Sequence, residues 1–497
     1  MSSPVHGFLP VSAPPGCQAL YTPAQCARMD AAAPLLGASI EQLMQAAGLA
    51  VAQAVQRHWP QGPVLVVCGA GNNGGDALVA ARILREQGRD VRVFSPVKPS
   101  LRRGAAAWAQ AQWQGPWETS CPALADFSVV VDGLLGAGLD RPVQGQLAEL
   151  IQALAASDTP VCAIDVPSGL DGATGLVHGV AAPAQVTVTF VRYKPGHVLY
   201  PGRALCGHLE LADIGMPSAA LEAADTCLNE PASWQAQWPS LAWGSHKYTR
   251  GHAVVIGGER MTGAGRLAAR AAQRAGAGLV SLIVPESVWS IYAGALDSIM
   301  VAPLHDLAIQ DERIRAWLIG PGAGLGEATR RLVMELLATG RACVLDADAL
   351  SSFAGHPSEL FQALHGQCVL TPHAGEFARL FPRPTDRLQA VRDAARLCGA
   401  VVVLKGADTV IAAPDGRVLV NACAPPWLAT GGSGDVLAGL VCGLLAQGMP
   451  VFEAAGAAVW LHSQAALAYG PGLIPEDLLQ ALPGVLQGMY QTSVCQP

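Results

Sequence analysis

The chain is poor in charge and in aromatic residues, and it has no excess of basic ones: 14% of its 497 residues are charged, 5% are aromatic and the formal net charge is −7. A surface that binds nucleic acid needs clustered Lys and Arg, so no nucleic-acid partner is expected. Uninterrupted apolar runs of the roughly 18 residues that a membrane helix needs are also missing. Hydrophobic residues make up 51% of the chain, and mean hydropathy is +0.31. That excess is Ala, Val, Leu and Gly spread along the whole length, and the longest candidate, Val436 to Ala446, is too short to span and reads as a buried core helix. No membrane association is expected. The 13 cysteines include no CxxC pair and no Cys/His spacing suited to a metal, which argues against a disulfide framework and a zinc site and for buried thiols in a reducing cytoplasm. The opening Met1-Ser-Ser-Pro-Val-His-Gly-Phe8 lacks a basic segment followed by an apolar core, so no secretory signal is expected.

What the chain does have is a repeated alternation of strand and helix patterns. Its length exceeds what one hydrophobic core usually serves, so two domains are expected. Ile40 to His58 has helical apolar spacing, Pro63 to Gly69 is a continuous apolar strand, a glycine turn covers Ala70 to Asp76, a helix follows over Ala77 to Gln87, and Asp90 to Phe94 is the next strand. This is the βαβ pattern of a parallel sheet. Further strands are expected at Ser128 to Asp132, Val161 to Asp165, Gln185 to Phe190 and from His208. A softer stretch between about Pro217 and Trp243, rich in Ala, Pro, Gln and Trp, marks the linker, taken as residues 218–235 between domains at 1–217 and 236–490. The second run of strands starts at Gly251 to Gly258 and continues at Leu279, Ala316, Ala342, Cys368, Val401 and Thr409.

The organising stretch of the second half is Leu428-Ala-Thr-Gly-Gly-Ser-Gly-Asp435, which runs directly into the apolar helix candidate. Gly432, Ser433 and Gly434 let backbone N–H groups approach a ligand, and the positive end of the helix points at the same spot, which makes an anion site. A carboxylate there repels an anion unless it takes a proton or holds a metal, so Asp435 is read as a catalytic base, with helix capping as the alternative. Other loops echo the pattern. Gly257 to Gly265 and Gly320 to Gly324 let a ligand approach the main chain, Thr371-Pro-His373-Ala-Gly-Glu376 sets a histidine at a strand end, and Lys405-Gly-Ala-Asp-Thr409 puts a cation in a turn, suited to a nucleotide phosphate. Asp346 and Asp348 are positioned either to hold a magnesium–phosphate unit or to cap the helix that follows.

In the first half, Gly69-Ala-Gly-Asn72-Asn73-Gly74-Gly75-Asp76 lies between a strand and a helix, where its amides suit a pyrophosphate. Asp132-Gly-Leu-Leu-Gly136-Ala137-Gly138-Leu139-Asp140-Arg141-Pro142 and Asp165-Val-Pro-Ser168-Gly-Leu-Asp171 each sit where a strand ends. Asn73, Asp132 and Ser168 offer hard oxygen ligands for an s-block cation, and Asp165 is a candidate acid or base. Lys194 is open between a supporting role and a phosphate or carboxylate contact.

These motifs in this order, with Phe190-Val-Arg-Tyr-Lys-Pro-Gly196, resemble the NAD(P)H-hydrate epimerase domain of the YjeF-type repair proteins over roughly residues 18 to 216. The resemblance implies a Rossmann-like three-layer αβα domain with K+ at Asn73, Asp132 and Ser168. It implies hydrated nicotinamide dinucleotide bound by Asn72 to Asp76, by Gly136 to Pro142 and by Asp165. Ala77 and Ala137 stand where that family often has glycine and threonine. The second half resembles the ribokinase-like α/β fold, most closely its NAD(P)H-hydrate dehydratase branch, over about residues 236 to 490. This implies a substrate pocket of Ala264, Gly322, Gly324, His373 and Asp435, and a nucleotide site of Lys405, Gly406, Ala407, Asp408, Thr409, Gly432, Ser433 and Gly434. It also implies Mg2+, ADP as co-substrate with AMP released, and a homo-oligomeric assembly. Ala374, Ser351 and Ala424-Pro-Pro-Trp-Leu428 depart from the family's usual residues. A kinase of a small alcohol remains the alternative for the second half, and a dinucleotide-binding module without activity the alternative for the first.

Overall fold

The computed structural model describes residues 18–382 and 386–494; Met1 to Phe8, read above for a targeting segment, lie outside them. The described residues divide into two compact units, Ala19–Thr226 and a second formed from Cys227 onward together with Gln18. The expected linker therefore contains the division. It is not featureless, because Thr226–Leu228 forms a short strand at the edge of the second unit's sheet and Trp234 is fully buried in that unit's core.

The first unit holds seven parallel strands: β1 Val64–Cys68, β2 Val91–Phe94, β3 Trp117–Glu118, β4 Val129–Gly133, β5 Val161–Ile164, β6 Val186–Phe190 and β7 His208–Ala212. Their spatial order is β3-β2-β1-β4-β5-β6-β7, so the winding reverses between β1 and β4. In such sheets ligands bind beyond the carboxyl ends of the strands at that reversal, and there the loops after β1 and β4 lie side by side. The expected turn over Ala70 to Asp76 is shorter than its glycines suggest. Gly71 is extended and the helix already runs from Asn72 to Glu86, so the two asparagines and glycines form its first turn and present its unpaired N–H groups.

The second unit adds β8 Thr226–Leu228, β9 His252–Ile256, β10 Leu279–Val284, β11 Met300–Pro303, β12 Ile314–Ile319, β13 Ala342–Leu345, β14 Cys368–Leu370, β15 Val401–Leu404, β16 Thr409–Ala412 and β17 Val418–Asn421. The order β11-β10-β9-β12-β13-β14-β15-β16-β17-β8 reverses between β9 and β12, and β16 and β17 join antiparallel. The apolar stretch after the glycine turn is the helix Ser433–Ala446, with every residue from Val436 to Ala446 buried. It packs against the helix Thr262–Arg274 in the same core. Each buried Leu on it contributes about 1.5–3 kcal/mol relative to exposure, which anchors the start of the helix where the glycine turn needs it. Among the described residues no helix is long and apolar enough to cross a membrane.

Candidate functional sites

In the first unit the loops after β1, β4, β5 and β6 are tied together by short polar contacts. The β1 loop fits against the β4 loop only because residue 69 is glycine: a Cβ there would stand 1.9 Å from the Leu134 carbonyl oxygen. Asp132, fully buried, accepts the Ser168 hydroxyl at 2.6 Å, the Ser168 N–H at 2.9 Å and the Leu134 N–H at 3.2 Å. Asn73 donates its amide to the Leu135 carbonyl at 3.0 Å, and the Leu135 N–H donates to the Ser168 hydroxyl at 3.0 Å. The structure thus gathers Asn73, Asp132 and Ser168 around one stretch of main chain. Burial pushes the Asp132 carboxyl up, the Ser168 and Leu134 donors oppose this, and no ion pair joins Asp132 among the described residues. A buried carboxylate without a cationic side chain, ringed by amide, hydroxyl and carbonyl oxygens, fits an oxygen-seeking cation.

Asp165 follows β5 with φ of 66°, a left-handed backbone that an Asp adopts at some cost. Its carboxylate pairs with the Lys194 ammonium at 2.6 Å and accepts the Thr189 hydroxyl at 3.1 Å and the Ala137 N–H at 3.2 Å. Burial opposes its charge, but Lys194 outweighs that and holds the carboxyl below the usual carboxylate range. Lys194, itself buried, is held above the usual lysine range because Asp165 and other anions outweigh its desolvation. Asp76 behaves oppositely: desolvation, then the charges of Asp165 and Asp30, push its carboxyl well up. Two carboxyls pushed apart in this way divide base and acid roles. Lys194 is thus not a surface residue: it is buried and supports the Asp165 carboxylate.

Ala77 packs inside the unit, against the end of β4. It is fully buried, and its Cβ lies 2.5 Å from where a Cβ on Gly133 would be. The Ala137 methyl is buried against Gly172, while its N–H serves Asp165. Gly138, Asp140, Arg141 and Pro142 are exposed. Sequence reasoning missed Thr189 and His197, which support Asp165, because an isolated Thr on a strand and a His in a proline loop carry no pattern of their own.

In the second unit, the loops after β9 and β12 interlock at the reversal: a Cβ on Gly258 would stand 1.4 Å from the Gly322 carbonyl oxygen. Ala264 is buried at the start of its helix, and Gly322 and Gly324 both have positive φ. Asp346, buried at the end of β13, pairs with the Lys405 ammonium at 2.7 Å. Asp348 accepts the Gly324 N–H at 2.9 Å. The Asp435 carboxyl at the start of the long helix is pushed up to about 6 by burial and by the charge of Asp346, with Lys405 opposing and Asp348 adding. Asp346 and Asp348 both act on Asp435, with Lys405 the cation paired to Asp346, and the negative charge left over fits a hard divalent cation. Lys405 also approaches the anion turn, since a Cβ on Gly434 would lie 3.4 Å from its Nζ.

His373 caps the helix Ala374–Leu380: Nδ1 accepts the Gly375 N–H at 2.9 Å and the Glu376 N–H at 3.3 Å, while over half of the side chain stays exposed. Capping and ligand contact are therefore compatible there. Asp408 and Thr409 are buried within the turn. Asp408 is buried beside Arg387, and the Thr409 hydroxyl closes the turn onto the Gly406 carbonyl at 3.1 Å. This turn rests on Arg387, which donates to the Leu404 and Lys405 carbonyls at 3.2 Å each and which no motif disclosed. A second unexpected group is His462, buried, whose ring meets the Ser433 carbonyl at 2.9 Å. Trp427 donates to the Ala466 carbonyl at 2.8 Å and packs on the core, which fixes the approach to the turn.

Fold and sites together define a two-unit α/β enzyme, a doubly wound dinucleotide-type unit followed by a ribokinase-like unit with a carboxylate at an anion turn. Comparison with known proteins agrees. A family profile described as YjeF-related protein N-terminus matches residues 40–196, and one described as NAD(P)H-hydrate dehydratase matches residues 253–482. The bifunctional NAD(P)H-hydrate repair enzyme of Moorella thermoacetica is 37% identical, covering 90% of this chain and 93% of that one. That of Salinibacter ruber is 37% identical over 89% and 91% respectively. The second unit resembles the crystal structure of a ribokinase-like superfamily protein from Enterococcus faecalis, at 27% identity and a TM-score of 0.50 over 54% of this chain and 98% of that one. The chain belongs to the family of bifunctional NAD(P)H-hydrate repair enzymes.

Proposed function

We propose that the protein repairs hydrated NADH and NADPH in two steps, epimerising the R and S hydrates in its first unit and dehydrating the S form in its second at the expense of ADP, with AMP and phosphate released. The observation that carries the second activity is Asp435, a carboxylate with a raised pKa at the N-terminus of a buried helix beside Lys405 and Asp346. Asp435 takes the proton of the substrate hydroxyl, whose oxygen attacks the terminal phosphorus of ADP and displaces AMP while the Gly432 to Gly434 amides stabilise the transferring phosphoryl group. Phosphate then leaves together with a proton from the adjacent ring carbon, which restores the double bond of the dihydronicotinamide. Lys405 and the Gly406 to Thr409 turn hold the nucleotide. Ala264, Gly322, Gly324 and His373 line the substrate pocket.

In the first unit, Asp165 moves the proton and Asp76 is its acidic counterpart, with Asn72 to Gly75 and the Gly136 to Pro142 loop on the dinucleotide. Asn73, Asp132 and Ser168 would hold K+, and Asp346 and Asp348 would hold Mg2+. Bound, these ions supply positive charge against the phosphates of dinucleotide and ADP. The described cysteines are all free thiols, most of them buried, which supports a reducing, cytoplasmic setting. The test is to supply separated R and S hydrates with ADP and magnesium and follow dihydronicotinamide absorbance. Recovery from S, and slower recovery from R, is expected. A stable phosphorylated alcohol without that absorbance would point to the small-alcohol kinase instead.

A further inference from the structure

Away from both sites, His58, His208 and Glu210 converge on the surface of the first unit. His58 ends the helix Ile40–His58, and His208 and Glu210 are alternate residues of β7, the last strand of the sheet. Alternate residues leave a strand on the same face, so both face the helix end. His58 Nε2 is 2.7 Å from Glu210 Oε1, the two imidazole centroids are 5.8 Å apart, and one ligand atom from each residue lies within 4.8 Å of the other two. Glu210 also accepts the Arg57 guanidinium. That ion pair accounts for His58 and Arg57 but not for the approach of His208, whose ring lies 5.8 Å from that of His58 with a nitrogen within 4.8 Å of the Glu210 carboxylate.

We propose that His58, His208 and Glu210 form a surface site for a borderline-soft divalent metal ion of the zinc type. Two neutral imidazoles and one carboxylate are the donor set such ions take, with water completing the shell. The ion would tie the end of the helix to the last strand of the sheet. Arg57 competes with it, because its guanidinium holds the other oxygen of Glu210 and repels a dication.

The experiment is calorimetric titration of the untagged, metal-stripped full-length chain with Zn2+ at neutral pH. One ion per chain is expected, with binding weakened about 10-fold or more in His58→Ala and in His208→Ala, and tightened in Arg57→Gln. No uptake, or uptake unchanged in the two histidine variants as an exposed thiol such as Cys121 would give, overturns the site. Weaker binding in Arg57→Gln also contradicts it, since Arg57 would then be building the site and not competing for it.

Discussion

His197 holds the backbone of Asp165 in its left-handed conformation: its Nε2 donates to the Asp165 carbonyl at 2.7 Å, while its Nδ1 accepts the Lys194 N–H at 3.0 Å. The Lys194 amide can only donate, which assigns the ring proton to Nε2. Burial keeps this ring neutral by lowering its pKa to about 4. One imidazole thus fixes both members of the Asp165–Lys194 pair. His197→Ala removes two buried hydrogen bonds, each worth about 1–3 kcal/mol when its partner is left unpaired. Epimerisation should slow by roughly 10-fold or more, while dehydration of the S hydrate by the same protein stays unchanged and serves as the internal control.

Lys194 sets the charge state of Asp165. Removing the ammonium in Lys194→Met takes away the largest group opposing desolvation and leaves chiefly the Ala137 N–H and the Thr189 hydroxyl, so the carboxyl rises from its depressed position. As the proposed base, Asp165 would act only when ionised, so the acid limb of the epimerisation pH profile should move to higher pH in Lys194→Met. An unmoved limb would show that another group titrates there.

Much of this was legible in the sequence, and the reasons differ by residue. Continuous apolar strands such as Val64–Cys68 and Val401–Leu404 announce themselves because both faces are buried. The short strands Trp117–Glu118 and Thr226–Leu228 do not, being two or three residues long at sheet edges. Asp132 and Asp435 stand in glycine-marked loops at element ends, where local chemistry shows. Arg387 and His462 act on main-chain carbonyls far away in sequence, Arg387 on Leu404 and Lys405 and His462 on Ser433. Only the fold discloses such partners, because neither helix bears a mark of what packs over its end. Gly74 and Gly75 read as a turn in the sequence, yet they sit inside the helix from Asn72, where a Cβ would stand 2.3 Å from the Gly69 carbonyl oxygen or 2.5 Å from the Met44 methyl.

The second unit's interlocked loops make a steric prediction. In Gly258→Ala the new methyl meets the Gly322 carbonyl, so the loops after β9 and β12 must separate. Overpacking of this kind costs about 1–3 kcal/mol. ADP-dependent dehydration should be lost, with a lowered unfolding midpoint for the second unit in denaturant titration.

The raised pKa of Asp435 gives the dehydration step its pH dependence. A base must be unprotonated, and Asp435 takes up a proton as pH falls through about 6. Below that point kcat/KM for the S hydrate should fall about tenfold per pH unit, and above it should level off.

The most direct measurement compares wild type with Asp435→Asn on the S hydrate, following the return of dihydronicotinamide absorbance with ADP and magnesium while ADP binding is measured on the same samples. Asparagine keeps the size of the side chain and cannot accept the hydroxyl proton. The account predicts recovery in the wild type and a loss of at least about 1000-fold in the variant, with ADP still bound, as expected when base and phosphoryl acceptor act as a unit. Recovery at near wild-type rate in Asp435→Asn would contradict the assignment of Asp435 as the base.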